Sequence, residues 1–260
     1  MGIRVYYSGG CFYGLFASGF GKYILEKGIK IEQFIGNSSG SFTAALNTIG
    51  ICSCGMFENI MDKHSADMNA EVSVIDFKKM ILAEISHKLD KSDLSPIFEE
   101  QKLGVMVSKI QSSFPIMYSK ILDYFRNKDN IMYALHRSSF IPFLTDETFS
   151  FRRFLKDPTL DGGLTDDYII EEIKNKLGQD DILICVHSIF SKPYYDYQNT
   201  DRVFHIFNWY YDKNVTPFHF LNSKEYQTKD YKQIMKDQIN LGYEQAEKIF
   251  NNDKIKKLIY

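Results

Sequence analysis

A serine stands at the centre of a glycine-flanked pentapeptide, Gly36-Asn37-Ser38-Ser39-Gly40. The apolar residues Phe34 and Ile35 precede it and a helical apolar pattern follows it, which predicts a strand, a sharp turn and a helix. In such an elbow the glycines permit a strained backbone that exposes the serine oxygen. The following helix directs its free N–H groups at the same place. The pattern therefore predicts a nucleophilic Ser38 beside a site that stabilises negative charge.

A glycine-rich loop at residues 8–14, Ser-Gly-Gly-Cys-Phe-Tyr-Gly, follows the first predicted strand. The carboxyl ends of parallel strands lie at one edge of a sheet, so we expect this loop beside the elbow. The N–H groups of Gly9, Gly10 and Cys11 are then the expected donors to an oxyanion. A dinucleotide-binding loop is the alternative. It is disfavoured because the middle glycine of G-x-G-x-x-G is missing and no acidic residue ends the second strand.

A serine nucleophile also needs a base, and two kinds are available. Asp161 stands in Leu160-Asp161-Gly162-Gly163, whose glycines allow a rigid, closely approaching carboxylate; Asp-Gly-Gly is also a common structural turn. The serine–acid–histidine order of α/β-hydrolases would add His187, His205 or His219. That fold places its elbow after several strands, whereas only one predicted strand precedes the strand that leads into Ser38.

Three segments in this order resemble the patatin-like phospholipase family. That family has a glycine-rich oxyanion loop after its first strand, a G-x-S-x-G elbow after its second, and a later aspartate in D-G-G or D-G-A. The matching residues are 8–14, 36–40 and 161–163. Ser138-Ser139-Phe140-Ile141-Pro142 is similar to the Ser/Ala-rich segment that precedes the family's aspartate, and Gly242-Tyr243-Glu244-Gln245-Ala246 is similar to its late helix.

The resemblance implies a Ser–Asp dyad in which Ser38 is the nucleophile and Asp161 the base, with no histidine, cofactor or metal. It implies a phospholipase A or acylglycerol lipase that acts through an acyl-enzyme on lipid at a membrane or droplet surface. The motif residues it assigns, besides those of the dyad and the oxyanion loop, are Gly14, Gly36, Gly40, Gly162 and Gly163.

The glycine-rich loop departs from the family pattern at two positions. Cys11 stands where the family has glycine, and Tyr13 stands where it has a basic residue. These departures favour an alternative, a non-catalytic lipid-binding or regulatory protein on the same fold. A soluble acyltransferase or thioesterase is a third and narrower possibility.

The order of elements predicts an α/β fold with a parallel sheet and right-handed crossovers, as a single domain over residues 1–260. The resemblance implies a three-layer α/β/α sandwich with a mostly parallel central sheet. The elbow follows the second strand, and a helical insertion occupies residues 56–136. The predicted strands are 3–7, 31–36, 181–186 and 202–207, with sheet-like sequence at 139–151. The predicted helices are 15–27, 38–49 and 223–251, with Gly28 and Gly50 ending the first two.

Composition and charge limit the binding partners and the cellular compartment that we expect for this chain. The 260-residue chain has a net charge of −2 and a pI near 6.3, which disfavours a nucleic-acid partner. No signal-peptide pattern and no run of 18 apolar residues occurs, so we expect a cytoplasmic protein that is peripheral to membranes. Oligomeric state is left open.

The four cysteines, Cys11, Cys52, Cys54 and Cys185, are scattered and suit a reducing compartment. Cys52 and Cys54 with His64 could form half of a metal site. Zinc sites usually show two well-spaced ligand pairs, so the sequence predicts no metal.

Overall fold

The computed structural model describes residues 2–10, 13–65, 74–114, 116–142, 145, 151–188, 199–208 and 231–259. The strands are β1 Ile3–Tyr7, β2 Gln33–Asn37, β3 Leu103–Ile110, β4 Met117–Leu122, β5 Thr159–Asp161, β6 Ile182–His187 and β7 Val203–Phe207. The helices are α1 Gly14–Glu26, α2 Ser39–Thr48, α3 Cys54–Ser65, α4 Val74–Asp90, α5 Ser95–Phe98, α6 Lys128–Ser138, α7 Phe151–Lys156, α8 Asp166–Lys174, α9 Tyr231–Phe250 and α10 Asp253–Ile259. A 3₁₀ turn covers Gly162–Thr165.

The strands form one mixed sheet in the order β4-β3-β2-β1-β6-β7, with β5 paired to β3. Strands β3, β2, β1, β6 and β7 are parallel, and both β4 and β5 are antiparallel to β3. The prediction of an α/β fold with a mostly parallel sheet is therefore confirmed for the described residues.

Both faces of the sheet are buried. Val5 and Tyr7 of β1 belong to the larger apolar cluster, whereas Tyr6 between them belongs to a second cluster with Ile170 and Ile173 from α8. Side chains alternate between the faces of a strand, so the two clusters lie on opposite sides of the sheet. Strands covered on both faces are apolar at nearly every position, which explains the apolar run Ile182–Val186 in β6 and the consecutive buried residues Val5, Tyr6 and Tyr7 in β1.

Helices α1 and α9 pack at very short range in the larger cluster. A Cβ atom at Gly19 would lie 1.9 Å from the carbonyl oxygen of Ile239, and one at Gly242 would lie 2.0 Å from that of Phe16. Only glycine fits at these two helix-interior positions. The predicted late helix is thus confirmed from residue 231 onwards; residues 223–230 lie outside the described part of the chain.

The prediction of a helical insertion at 56–136 is wrong in part, because β3 and β4 interrupt it. Leu103, Val107 and Ile110 have helical spacing, but Val105 and Met106 between them are also fully buried. A short apolar run of this kind fits a buried strand as well as a helix, so periodicity alone could not decide.

Sheet-like sequence at 139–151 was also expected, and the described part of that range contains no strand. The strand instead follows at β5, after helix α7. The predicted helix ends are confirmed at Gly28 and Gly50, which have φ angles of 61° and 73°. No helix of the described residues is both long enough and apolar enough to cross a bilayer.

Candidate active site

Ser38 occupies a strained turn between β2 and α2. Its backbone has φ 48° and ψ −128°, a combination that residues with a side chain rarely adopt and that costs about 1–3 kcal/mol. A Cβ atom at Gly36 would lie 2.3 Å from the Gly40 carbonyl oxygen, and one at Gly40 would lie 2.2 Å from that of Tyr7. Both glycines are therefore sterically required, and the predicted strand–turn–helix around Ser38 is confirmed.

The backbone of the elbow is held by two other serines. The Ser38 N–H donates to both the side-chain oxygen (2.9 Å) and the carbonyl (3.1 Å) of Ser138. Ser138 Oγ in turn donates to the carbonyl of Met106 at 2.6 Å, and Ser41 Oγ donates to the Ser38 carbonyl at 2.6 Å. These bonds offset the strain of the turn. The sequence had marked Ser138 only as part of a serine-rich segment.

The glycine-rich loop lies directly against the nucleophile. A Cβ atom at Gly9 would lie 2.7 Å from Ser38 Cβ and 3.4 Å from Ser38 Oγ. The Gly9 N–H donates to Asn37 Oδ1 at 2.6 Å, and the Tyr6 hydroxyl donates to the same oxygen at 3.0 Å. Because the Gly9 N–H has this partner, Gly10 and Cys11 are the remaining expected oxyanion donors. Cys11 lies outside the described residues.

The pairing of β3 brings the second candidate residue to the elbow. Strand β4 occupies one edge of β3, and β2 and β5 share the other edge. Asn37 at the end of β2 is opposite Met106, and Asp161 at the end of β5 is opposite Val107. Successive residues of a strand are about 3.3 Å apart. The two strands therefore meet end to end, with Asn37 and Asp161 at adjacent levels of the sheet.

The Asp-Gly-Gly turn packs on the residue that precedes the serine. A Cβ atom at Gly162 would lie 2.7 Å from Asn37 Cβ, and one at Gly163 would lie 3.1 Å from Asp161 Oδ1 and 3.4 Å from Asn37 Nδ2. The glycines are what allow this close approach. The turn thus reaches the elbow itself, although the two segments are more than a hundred residues apart in the chain.

The carboxyl group of Asp161 is buried and held. Its Oδ1 accepts the Gly163 N–H at 2.7 Å, and the residue is only 5% exposed. Its backbone N–H donates to the carbonyl of Phe140 at 2.8 Å, and its carbonyl accepts Ser108 Oγ at 2.7 Å. A carboxylate whose orientation is fixed in this way is suited to act as a general base, which must accept a proton at one defined position.

Two of the three candidate histidines lie away from the elbow. His187 ends β6 and His205 lies in β7, and β1 separates both strands from β2. With strands about 4.8 Å apart, β6 and β7 are about 10 and 14 Å from β2. Burial together with the neighbouring His205 lowers the pKa of His187 to about 3, and burial lowers the pKa of His205 to about 4. His219 lies outside the described residues.

Cys52 and Cys54 form a hydrogen-bonded thiol pair at the start of α3. The hydrogen bond from Cys54, together with the positive charge of Lys22, lowers the pKa of Cys52 to about 6. The bond to Cys52 and burial raise the pKa of the Cys54 thiol. Cys52 is partly exposed and Cys54 is buried. Nothing is described of the His64 side chain, so the metal site considered for these three residues finds no support here.

We expect iodoacetamide to alkylate Cys52 in preference to the buried Cys54 and Cys185, with a half-maximal rate near pH 6. The reagent attacks the thiolate, and the thiolate of Cys52 is present above its lowered pKa and lost as the pH falls through it. Peptide mass spectrometry across a pH series measures this. In the Cys54→Ala variant the midpoint should rise towards about 8.5, the value of an ordinary thiol. A wild-type midpoint near 8.5 would contradict the expectation.

Comparison with known proteins gives little beyond this geometry. No family model matches the chain, and no curated protein matches it. Among solved structures, the chain is similar to VipD from Legionella pneumophila, with a TM-score of 0.46 and 11% sequence identity over 96% of this chain and 67% of VipD. A likeness of this size carries no information about the site.

Proposed function

We propose that the chain is a serine ester hydrolase that releases fatty acids from lipids through Ser38 and Asp161. One observation carries the proposal: β2 and β5 meet end to end on β3, so the Asp-Gly-Gly turn with its buried carboxylate packs against Asn37, the residue before a strained serine. A serine nucleophile needs a base and a donor-lined oxyanion site at its side. The Asp-Gly-Gly turn and the glycine-rich loop, both in close contact with the elbow, fit those two roles.

The proposed reaction has two steps. Ser38 Oγ attacks the ester carbonyl carbon while Asp161 accepts the hydroxyl proton, and the N–H groups of Gly10 and Cys11 hold the oxyanion. The intermediate expels the alcohol, which takes the proton from Asp161, and an acyl-enzyme remains. Water then attacks the acyl-enzyme while Asp161 accepts its proton, and that proton passes to Ser38 Oγ as the fatty acid leaves. The N-terminus of α2, capped by Ser38, contributes a positive field where the oxyanion develops.

Exposed apolar side chains near the elbow support a lipid surface as the source of substrate. Strand β3 continues beyond Met106, so its turn into β4 projects past the end of the sheet where Ser38 lies. That turn carries Phe114, which is 93% exposed, and Ile116, which is 65% exposed. Leu164, in the 3₁₀ turn that contains the Asp-Gly-Gly glycines, is half exposed. Exposed apolar groups on turns at this end of the sheet are compatible with an interaction surface.

We expect the double variant Phe114→Ser, Ile116→Ser to bind vesicles of ether-linked phosphatidylglycerol at least about tenfold more weakly. Burying one large apolar side chain in the lipid contributes about 1.5–3 kcal/mol, and the ether lipid cannot be hydrolysed. Co-sedimentation measures the binding. Tyr124→Ser is the matched control, because Tyr124 is 63% exposed but follows β4 at the opposite end of the sheet. Equal losses in both proteins would contradict the expectation.

One observation favours a second candidate, a non-catalytic lipid-binding protein on the same fold. The Gly9 N–H is engaged by Asn37, so one fewer donor in the loop is available to an oxyanion. Fatty-acid release from phospholipid and acylglycerol micelles distinguishes the two candidates. Release that saturates with substrate supports the hydrolase. Vesicle binding by a folded protein that releases no fatty acid supports the lipid-binding protein.

A further inference from the structure

Three residues of metal-binding types, one cysteine and two histidines, lie close together on β6 and β7, which are separated from the elbow by β1. Cys185 and His187 are two residues apart on β6, so their side chains lie on the same face of the strand. His205 on β7 is the register partner of Cys185, so it lies on that face as well. All three residues are buried.

The ligand atoms of these residues are close together. The two nitrogens His187 Nε2 and His205 Nδ1 are 2.9 Å apart, and all three ligand atoms lie within 4.8 Å of one another. In a tetrahedral zinc site, with Zn–N near 2.05 Å and Zn–S near 2.3 Å, two nitrogens are about 3.4 Å apart and nitrogen and sulfur about 3.6 Å. Changes of up to about 1.2 Å in these separations, which side-chain rotations supply, convert the observed cluster into that geometry.

We propose that Cys185, His187 and His205 bind one Zn²⁺ ion. One thiolate and two imidazoles are a donor set of intermediate softness, which suits zinc better than magnesium or calcium. Three protein ligands leave the fourth position of the tetrahedron to water. The ring of Phe207 stacks on that of His187, with centroids 4.9 Å apart and an interplanar angle of 12°, which restricts the imidazole.

The position of the cluster connects the ion to the glycine-rich loop. His187 lies between Val186, whose carbonyl accepts the Ser8 N–H, and Ser188, whose N–H donates to Ser8 Oγ. Ser8 begins the glycine-rich loop. An ion bound between the ends of β6 and β7 restrains the end of β6. Because β6 holds Ser8 through these hydrogen bonds, the ion also restrains the start of the glycine-rich loop. The proposal goes beyond the proposed hydrolysis and does not depend on it.

Cobalt titration of the full-length, chelator-treated protein tests the site. We expect one Co²⁺ per chain, with a thiolate-to-cobalt absorption band in the near ultraviolet and the intense visible bands of four-coordinate cobalt, all abolished by added Zn²⁺. Cys185→Ser should remove the near-ultraviolet band. His205→Gln should weaken binding by at least about 100-fold, since even the loss of an outer partner of a ligand costs 10–100-fold. Cys54→Ser, which removes a buried thiol elsewhere, is the control and should bind like wild type.

The titration of the wild-type protein and the titrations of the two ligand variants are independent tests of the proposed zinc site. A folded wild-type protein that shows no thiolate–cobalt band overturns it, as does binding that persists unchanged in folded Cys185→Ser and His205→Gln proteins. Circular dichroism establishes whether each protein is folded. If Cys185→Ser does not fold, His205→Gln and the wild-type spectrum still decide, because the thiolate band itself reports a cysteine ligand.

Discussion

Replacing Ser38 with alanine should lower kcat for a soluble short-chain ester by about 10⁴-fold, and replacing Asp161 with asparagine should lower it by a similar factor. Alanine removes the attacking oxygen. Asparagine keeps the shape of the aspartate side chain, including an oxygen that can accept the Gly163 N–H, but it cannot accept the serine proton. Initial rates of ester hydrolysis with purified, folded proteins measure both effects.

Two further variants test the assignment of Ser38 and Asp161 as nucleophile and base. The double variant should be no slower than either single variant, because a nucleophile and its base act as one unit. Ser39→Ala should retain near-wild-type activity, since the Ser39 hydroxyl is buried with no hydrogen-bond partner in the described structure. Substantial hydrolysis by Ser38→Ala, or an equal loss in Ser39→Ala, would contradict the assigned dyad.

Replacing Gly9 with alanine should lower kcat by about 100-fold or more. The new methyl group would lie 2.7 Å from Ser38 Cβ and 3.3 Å from the Asn37 carbonyl oxygen, so the loop must move away from the nucleophile. That movement displaces the neighbouring oxyanion donors, and the loss of a single donor costs about 10²–10³-fold in rate. Steady-state kinetics should show the loss mainly in kcat.

Gly55→Ala is the matched control for this substitution. A Cβ atom at Gly55 in α3 meets nothing within 4 Å, so alanine there should leave activity unchanged and stabilise the helix slightly. Wild-type kcat in Gly9→Ala would show that the loop does not line the reacting centre, and would remove the proposed oxyanion site.

The elbow could be predicted from the sequence because it is a local feature. Glycines around Ser38, an apolar strand before it and a helical pattern after it are all contiguous. The helix ends at Gly28 and Gly50 were predictable for the same reason, because a positive φ selects glycine. Asp161 was marked by its own glycines, but its pairing with Ser38 came only from the family resemblance.

The missed features are those that depend on long-range pairing. Strand β3 has no period that distinguishes a strand from a helix, so its register, which brings Asp161 to Asn37, was not predictable. The roles of Asn37 and Ser138 arise from contacts with Gly9 and Ser38 across 28 and 100 residues. No local pattern signals such contacts. The same holds for the cluster of Cys185, His187 and His205, which needs the β6–β7 pairing.

The activated serine is the central claim, and labelling with a fluorophosphonate tests it most directly. Wild-type protein and Ser38→Ala are incubated with the probe and their intact masses are measured. We predict that the wild-type protein gains the mass of one adduct and that Ser38→Ala gains none, because the probe reacts with a serine that has both a base and an oxyanion site. A folded wild-type protein that stays unlabelled, or equal labelling of both proteins, would contradict the account.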